Sequence, residues 1–280
     1  MVSSEQRRRQ LAREKFERQE KRRAEAAAAR KRRNTIMGTS LAVVVLAGGG
    51  TLFATGAFDS DKATSAASSP QAAPTQATPT QPAAPTRKPV DGCAAPAPGA
   101  PNGKQFKTEP AMTIDPSGSY TMALDTNCGK VTVALDAAKA PHTVNSFAFL
   151  AGEQFFDHTK CHRLTTDGIF VLQCGDPTAS ATVPGGMGGP GYKFKDENLT
   201  GAAYPAGTVA MANSGPDTNG SQFFLVYKDT QLPPNYIPFG KITGGLDVVQ
   251  KIAAAGTLEG SSDGHPMADV TFNSVTVSKG

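Results

Sequence analysis

MANSGPDTNGSQFFL, residues 211–225, is the stretch on which the reading of this chain turns. An apolar start at Met211 and Ala212 runs into a turn-rich centre of Asn213, Ser214, Gly215, Pro216, Asp217, Asn219 and Gly220. Gln222, Phe223, Phe224 and Leu225 follow and continue into Val226 and Tyr227. Clustered Gly, Pro, Asn and Asp interrupt regular structure, whereas aromatic and β-branched residues favour strands, so the pattern is strand, long loop, strand. Amide and hydroxyl groups beside an aromatic pair suit a surface that grips an extended peptide backbone next to an apolar pocket.

The segments around this stretch have the same character. Tyr120, Met122 and Leu124 alternate with polar or small residues, as do Val131, Val133 and Leu135, and the turn-forming run from Asp125 to Gly129 between them predicts a β-hairpin. Further strands are predicted at Cys161 to Leu164, Phe170 to Gln173, Thr208 to Met211, Gln222 to Tyr227, Phe239 to Ile242 and Val270 to Val277. In the last, the apolar parity shifts between Phe272 and Val275, as a bulge would require. Two helices are predicted, Pro141 to Leu150 and Leu246 to Ala255, the second stopped by Gly256. Eight strands and two helices without βαβ alternation point to a mainly β, antiparallel barrel or sandwich of about 175 residues, 105–280.

The first 104 residues are organised differently. Residues 1–33 carry 13 Lys or Arg against 5 Glu, a net of +8; the remainder carries 15 against 19 Asp or Glu, a net of −4. The basic balance is therefore a property of the tail, expected as a solvated helix, and a nucleic-acid partner is not expected. Residues 34–58 hold no charge and exceed the ~20 residues that a helix needs to cross a bilayer. Arg30, Lys31, Arg32 and Arg33 precede them and Asp59 and Asp61 follow, so the expectation is a single-pass anchor with its N-terminus in the cytoplasm and the rest of the chain outside. A cleaved signal peptide is the rival reading. Residues 59–104, rich in Ala, Pro, Thr, Ser and Gln, lack the apolar residues for a core and are expected to form a disordered tether.

Several motifs fit more than one chemistry. Residues 186–191, GMGGPG, match GxGxxG. A dinucleotide fingerprint leaves a strand and opens a helix, however, and Pro190 with Tyr192, Lys193 and Phe194 fits a surface loop instead. His158 and His162 flank Cys161 with helical spacing in a segment read as strand entry, so they would not share a face, and no metal or cofactor is expected. No nucleophile elbow is present. Four cysteines in an oxidising compartment suit disulfides: Cys161 with Cys174 across one hairpin, and Cys93 with Cys128 fastening the tether. Free buried thiols are the alternative for the second pair, to be decided by a thiol count.

Cys161-His162-Arg163-Leu164, then Phe170 to Asp176, then residues 211–225, together with Phe194 to Asn198 and Phe239-Gly240-Lys241, resemble the cyclophilin family of peptidyl-prolyl isomerases in composition and order, from about Tyr120 to Val277. The resemblance implies a closed eight-stranded antiparallel barrel capped by two helices, with the active groove on its outer face. It places the catalytic arginine at Arg163, the residues that grip the peptide backbone at Gln173, Ala212 and Asn213, and the proline pocket at Phe170, Val171, Phe224 and Leu232. Gln222 and Tyr236 complete the substrate-binding set. It further implies a monomer that accelerates X-Pro isomerisation in polypeptides. A non-catalytic peptide-binding holdase and an envelope scaffold are the competing classes.

The residue types fit that chemistry. An X-Pro bond turns over a barrier of about 18–20 kcal/mol because amide resonance must be broken. A guanidinium donating to the prolyl nitrogen as it becomes pyramidal binds the twisted state better than either planar isomer. The sequence also departs from the commonest family pattern. The segment Thr165 to Ile169 is about two residues longer, Leu232 stands where many relatives have tryptophan, and Tyr236 where they often have histidine, so cyclosporin is expected to bind weakly.

Overall fold

The computed structural model describes residues 86–180 and 185–280, all within the second of the chain's two units, Thr78–Gly280. The basic tail, the expected membrane span and residues 59–85 of the expected tether lie outside the described residues. Among the described residues no helix is long and apolar enough to cross a membrane.

The hairpin predicted from alternation is β1, Tyr120–Thr126, and β2, Gly129–Leu135, paired in register from Tyr120 with Leu135 to Thr126 with Gly129. Helix α1, Pro141–Gly152, comes next, then β3, Arg163–Thr165, β4, Val171–Cys174, β5, Thr208–Met211, and β6, Phe223–Val226. The order ends with β7, Pro238–Gly244, α2, Leu246–Ala254, β8, Asp263–Gly264, and β9, Phe272–Lys279. In β9 the register against β1 shifts between Asp125 with Ser274 and Thr126 with Phe272, which puts the expected bulge at Asn273.

The closed eight-stranded barrel expected above is corrected. Among the described residues the sheet has nine strands in the order β8-β3-β4-β6-β5-β7-β2-β1-β9, a half-barrel. The added strand, Asp263–Gly264, lies in a run of Ser, Asp and Gly with no apolar alternation to reveal it, and it pairs with Leu164 and Thr165. The residues leading into β3 and β9 bond to each other: His158 N–H donates to Phe272 O at 2.8 Å and Cys161 N–H to Val270 O at 3.0 Å. Backbone groups that would face solvent there are thereby paired.

Alternation sorts side chains between two faces. The concave face carries Met122, Leu124, Val133, Leu164, Leu172, Met211, Phe223 and Phe239, covered by Val144, Phe147 and Leu150 of α1 and by Val249 and Ile252 of α2. Phe147 sits at the centre, with ring centroids 4.6 Å from Phe239, 5.3 Å from Phe156 and 5.4 Å from Phe223. The N-terminus of α1 has no capping side chain of its own. Glu197 supplies one from 54 residues away, accepting from Thr143 N–H at 2.7 Å and Thr143 Oγ1 at 2.8 Å. A carboxylate here satisfies otherwise unpaired amides and the positive end of the helix dipole, which gives the segment Phe194 to Asn198 a structural role.

Both cysteine pairings are formed, Cys161 with Cys174 and Cys93 with Cys128. The second fastens the end of the tether, as expected, and is one of several attachments. The reading of 59–104 as one disordered tether does not extend over residues 86–104, which lie against the domain. Arg87 Nη1 donates to Pro266 O at 2.6 Å, Ala94 N–H to Asn127 O at 2.8 Å, and Asn102 Nδ2 to Glu153 O at 2.9 Å. Composition excluded a core here, but a disulfide and backbone hydrogen bonds hold a chain without one.

Candidate active site

The site is built on the convex face of four neighbouring strands. Register sets Arg163 of β3 opposite Gln173 of β4, Gln173 opposite Phe224 of β6, and Phe224 opposite Ala210 of β5. These four residues therefore form one row across the sheet. At about 4.8 Å between strands, Arg163 and Phe224 stand roughly 10 Å apart along it.

At one end of the row, Asp263 of β8 holds the arginine. Arg163 Nε donates to Asp263 Oδ1 and Nη2 to Asp263 Oδ2, both at 2.8 Å. The third nitrogen, Nη1, reaches Gln173 Oε1 at 3.3 Å, long for such a bond. Hydrogen bonding from Arg163 holds the Asp263 carboxyl below its usual value, and the reciprocal bond raises Arg163, so the guanidinium stays charged. Two donors are fixed and the third is loosely held.

A polar chain continues from Gln173. Its Nε2 donates to Gln222 Oε1 at 2.9 Å, and Gln222 Nε2 donates to Gly188 O at 2.8 Å and Asp176 Oδ2 at 3.3 Å. Asp176 is fully buried. Its Oδ1 accepts from Thr178 N–H and Oγ1, both at 2.7 Å, and its Oδ2 from the amides of Gly186, Met187 and Gly188 at 2.6, 3.1 and 3.0 Å. Burial acts to raise the Asp176 pKa, and the bonds from Thr178, Gly188 and Gly186 outweigh it and hold the group below its usual value. The GxGxxG-like loop thus wraps an internal carboxylate with its amides, as such loops elsewhere wrap phosphate. Gly188 is required, because a Cβ there would collide with Asp176 Oδ1.

At the other end, Phe224 lies in a second apolar cluster with Val171, Tyr204, Ala210 and Val226, against which Ala212, Leu232 and Tyr236 pack half-buried. Phe224 and Tyr236 rings meet edge to face at 5.6 Å. Tyr204 Oη donates to Tyr236 O at 2.8 Å and accepts from Tyr236 N–H at 3.1 Å, which fixes the Tyr236 segment. Phe170 does not join this cluster. Its ring lies edge to face with Tyr227 at 6.0 Å, with Lys228 Nζ 4.4 Å from its centroid.

The loop of residues 213–220 lies beside the row and is shaped by its own polar groups. Thr218 Oγ1 donates to Gly215 O at 2.7 Å and accepts from Ser214 N–H at 2.8 Å, while Asp196 and Asp217 each accept the other's amide. Ala212 N–H donates to Gln222 O at 2.9 Å and Asn213 Nδ2 to Asn235 O at 2.8 Å.

The structure therefore unites Arg163, Gln173, Gln222, Val171, Phe224, Ala212, Asn213, Leu232 and Tyr236 on one face, and leaves Phe170 at the margin. Three residues had no role assigned from sequence. Asp176 stands three positions after Gln173 in a quoted motif, which was a usable signal. Asp263 and Tyr204 reach the site only through tertiary contacts between distant segments.

A family model described as cyclophilin type peptidyl-prolyl cis-trans isomerase/CLD matches residues 121–277. The probable peptidyl-prolyl cis-trans isomerase B of Mycobacterium leprae is 48% identical over 178 residues, covering 59% of this chain and 58% of that protein. The Mycobacterium tuberculosis protein of the same description is 45% identical over 178 residues, covering 59% and 56%. This chain therefore spans a little over half the length of these relatives. The Mus musculus peptidyl-prolyl cis-trans isomerase-like 1 is 38% identical over 167 residues, 58% of this chain and 92% of that protein. Among solved structures, a Cryptosporidium parvum cyclophilin type peptidyl-prolyl cis-trans isomerase superposes with a TM-score of 0.49 at 24% identity, covering 58% of this chain and 99% of that one.

Proposed function

Because the chain belongs to the cyclophilin-type peptidyl-prolyl cis-trans isomerase family, we propose that it accelerates the cis-trans isomerisation of X-Pro bonds in polypeptides, with Arg163 as the catalytic donor. The observation that carries this reading is the row Arg163, Gln173, Phe224: a charged donor and an apolar ring seat held about 10 Å apart by the register of adjacent strands. The proline ring sits against Phe224, Leu232 and Tyr236. Gln173, Gln222, Ala212 and Asn213 hold the backbone on one side while the other turns.

Asp263 fixes the guanidinium plane through Nε and Nη2, and Nη1 exchanges its 3.3 Å bond to Gln173 for one to the prolyl nitrogen as that nitrogen becomes pyramidal. Little is lost in the exchange and a charge-assisted bond is gained only in the twisted state, which is the condition for catalysis. An acceleration of about 10⁵ requires roughly 7 kcal/mol, within the range of pre-organised electrostatics combined with orientation.

We further propose that residues 34–58 anchor the protein in a membrane with the isomerase domain outside, acting as a monomer on exported proteins. The uncharged span between Arg33 and Asp59 supports this, as do two disulfides in one domain. The test of activity is a proline-isomerisation assay on the full-length protein. Acceleration of peptide isomerisation is expected, and peptide binding without acceleration would replace the enzyme with a holdase. For topology, protease added to intact cells should remove the domain, and complete protection would refute the outside placement.

A further inference from the structure

Asp263, which fixes two nitrogens of Arg163, has little local support. It is half of β8, a two-residue strand at one end of the sheet order that pairs, among the described residues, with β3 alone. Asp263 is exposed, so packing does not hold it. A strand this short does not by itself fix a carboxylate to the fraction of an ångström that orienting a donor requires. The rigidity has to come from the segment that carries β8.

That segment is a hairpin arm, residues 256–267, with β8 near its tip. Met267 N–H donates to Gly256 O at 2.9 Å and Leu258 N–H to His265 O at 2.7 Å, and the pair between these bonds is Thr257 with Pro266. Bonds on either side make this a non-hydrogen-bonded pair, whose own backbone groups point away from the ladder of the arm. The position suits a proline, which has no amide to leave unpaired. It also turns the Pro266 carbonyl outward, and because Pro266 is buried that carbonyl requires a donor from elsewhere.

The donor comes from outside the family module, which begins at residue 121. Residues 86–104 form a strap against the domain, and its first attachment among the described residues is Arg87. Arg87 Nη1 donates to Pro266 O at 2.6 Å and to Met267 O at 3.3 Å, and Lys88 N–H adds a contact to Met267 Sδ at 3.3 Å. Thr86, Lys88 and Pro89 are exposed, whereas Arg87 is half-buried against the root of the arm. Further on, the strap is fixed to the turn between β1 and β2: Cys93 is bonded to Cys128, and Asn127 Nδ2 donates to Ala94 O at 2.7 Å and to Asp269 O at 3.0 Å. The strap thereby ties the root of the arm to the main sheet.

We infer that Arg87 is a positioning residue of the isomerase: by holding the carbonyls at the root of the 256–267 arm it sets β8, and through Asp263 it sets the plane of the Arg163 guanidinium. Pro266 stands three positions after Asp263, so a shift at the root is passed to the carboxylate with little chain between to absorb it. A guanidinium on a buried carbonyl is a charge-assisted bond, stronger than the backbone bonds of the arm itself. The inference rests on the isomerase reading and extends it to a segment that the family match does not cover.

The experiment measures kcat and KM on an Ala-Pro peptide for the full-length protein, Arg87→Ala, Asp263→Asn and the double variant. Asn102→Ala, which removes a different strap attachment, to Glu153 O and Gln154 O at the end of α1, is run beside them. Arg87→Ala should lower kcat about threefold with KM little changed, the effect of losing one orienting bond. The double variant should fall no further than Asp263→Asn alone, because both act through one clamp. Asn102→Ala should lower stability in urea as Arg87→Ala does and leave kcat unchanged. An unchanged kcat in Arg87→Ala, an additive loss in the double variant, or an equal loss of kcat in Asn102→Ala would overturn the inference while leaving the isomerase intact. Absence of isomerisation in the unsubstituted protein would overturn the isomerase reading instead. The clamp is then read directly by NMR: exchange of the Arg163 Nε proton with solvent should quicken in Arg87→Ala, and an unaltered rate would count against the inference.

Discussion

Phe223 and Phe224 are neighbours on β6, nearly equally buried, and have opposite uses. Phe223 points into the main core, within 5.4 Å of the Phe147 ring and 6.2 Å of Phe272. Phe224 points to the convex face and joins a cluster of five buried residues with a half-open rim. The same residue type packs the core on one face and, in the proposed function, seats the proline ring on the other, and the difference is what stands opposite. Phe147 of α1 packs on Phe223, whereas among the described residues Ala202, Ala212, Leu232 and Tyr236 pack half-buried against the cluster of Phe224. A small apolar cluster with a half-exposed rim beside polar groups is the kind of surface that the proposed function uses.

Substitution separates the two faces. Phe223→Ala should cost about 3–5 kcal/mol of stability, because it empties a site that its aromatic neighbours cannot refill. Phe224→Ala should cost less stability and mainly raise KM. Chemical denaturation run beside kinetics checks both, and equal loss of stability in the two variants would remove the distinction between the faces.

The next effect concerns Arg163. Asp263→Asn replaces a bidentate carboxylate with a group that accepts one bond, so the guanidinium plane is less well fixed; kcat should fall about tenfold with KM little changed, the cost of roughly 1.4 kcal/mol of orientation. In the unsubstituted protein the same contact is lost only as pH falls below 3.8, since pairing holds the Asp263 carboxyl below that value. A kcat unaltered by Asp263→Asn would show that the clamp does not position the donor.

The smallest effect sets His162 against its neighbour Arg163. The His162 ring is buried under Gly185, neither nitrogen has a hydrogen-bond partner among the described residues, and burial lowers its pKa from 6.5. A base whose folded pKa is depressed contributes stability fully above its unfolded value and loses it as pH falls through the folded one. Stability should therefore decline below pH 6.5, with a slope approaching ~1.4 kcal/mol per pH unit for one proton. His162→Gln should remove that slope in urea unfolding measured from pH 7 to 5, and an identical slope in the variant would assign it elsewhere.

Local patterns carried much of the fold into the sequence. Alternation in Tyr120 to Leu135 set hairpin and register together, because a slip by one residue would expose every core side chain. The parity break after Phe272 marked a bulge that the pairing with β1 contains. The row of the candidate site was legible where its residues lie in short motifs, at Arg163, Gln173 and Phe224. It was not legible where a contact joins segments far apart. Asp263 lies 100 residues from Arg163 in a run that reads as a turn, and Tyr204 acts through hydrogen bonds to Tyr236, 32 residues on. Of the strap only the Cys93–Cys128 attachment was legible: composition forecasts whether a segment can bury a core, and residues 86–104 are held mainly by hydrogen bonds and that disulfide.

The central claim, that the convex face isomerises proline because Arg163 presents a donor to the twisted bond, is tested most directly by exchange spectroscopy on an Ala-Pro peptide with the full-length protein and with Arg163→Ala. The account predicts that both bind the peptide and that the variant catalyses exchange about 10²–10³-fold more slowly, the usual cost of one transition-state donor. Equal exchange rates in the two proteins would contradict it.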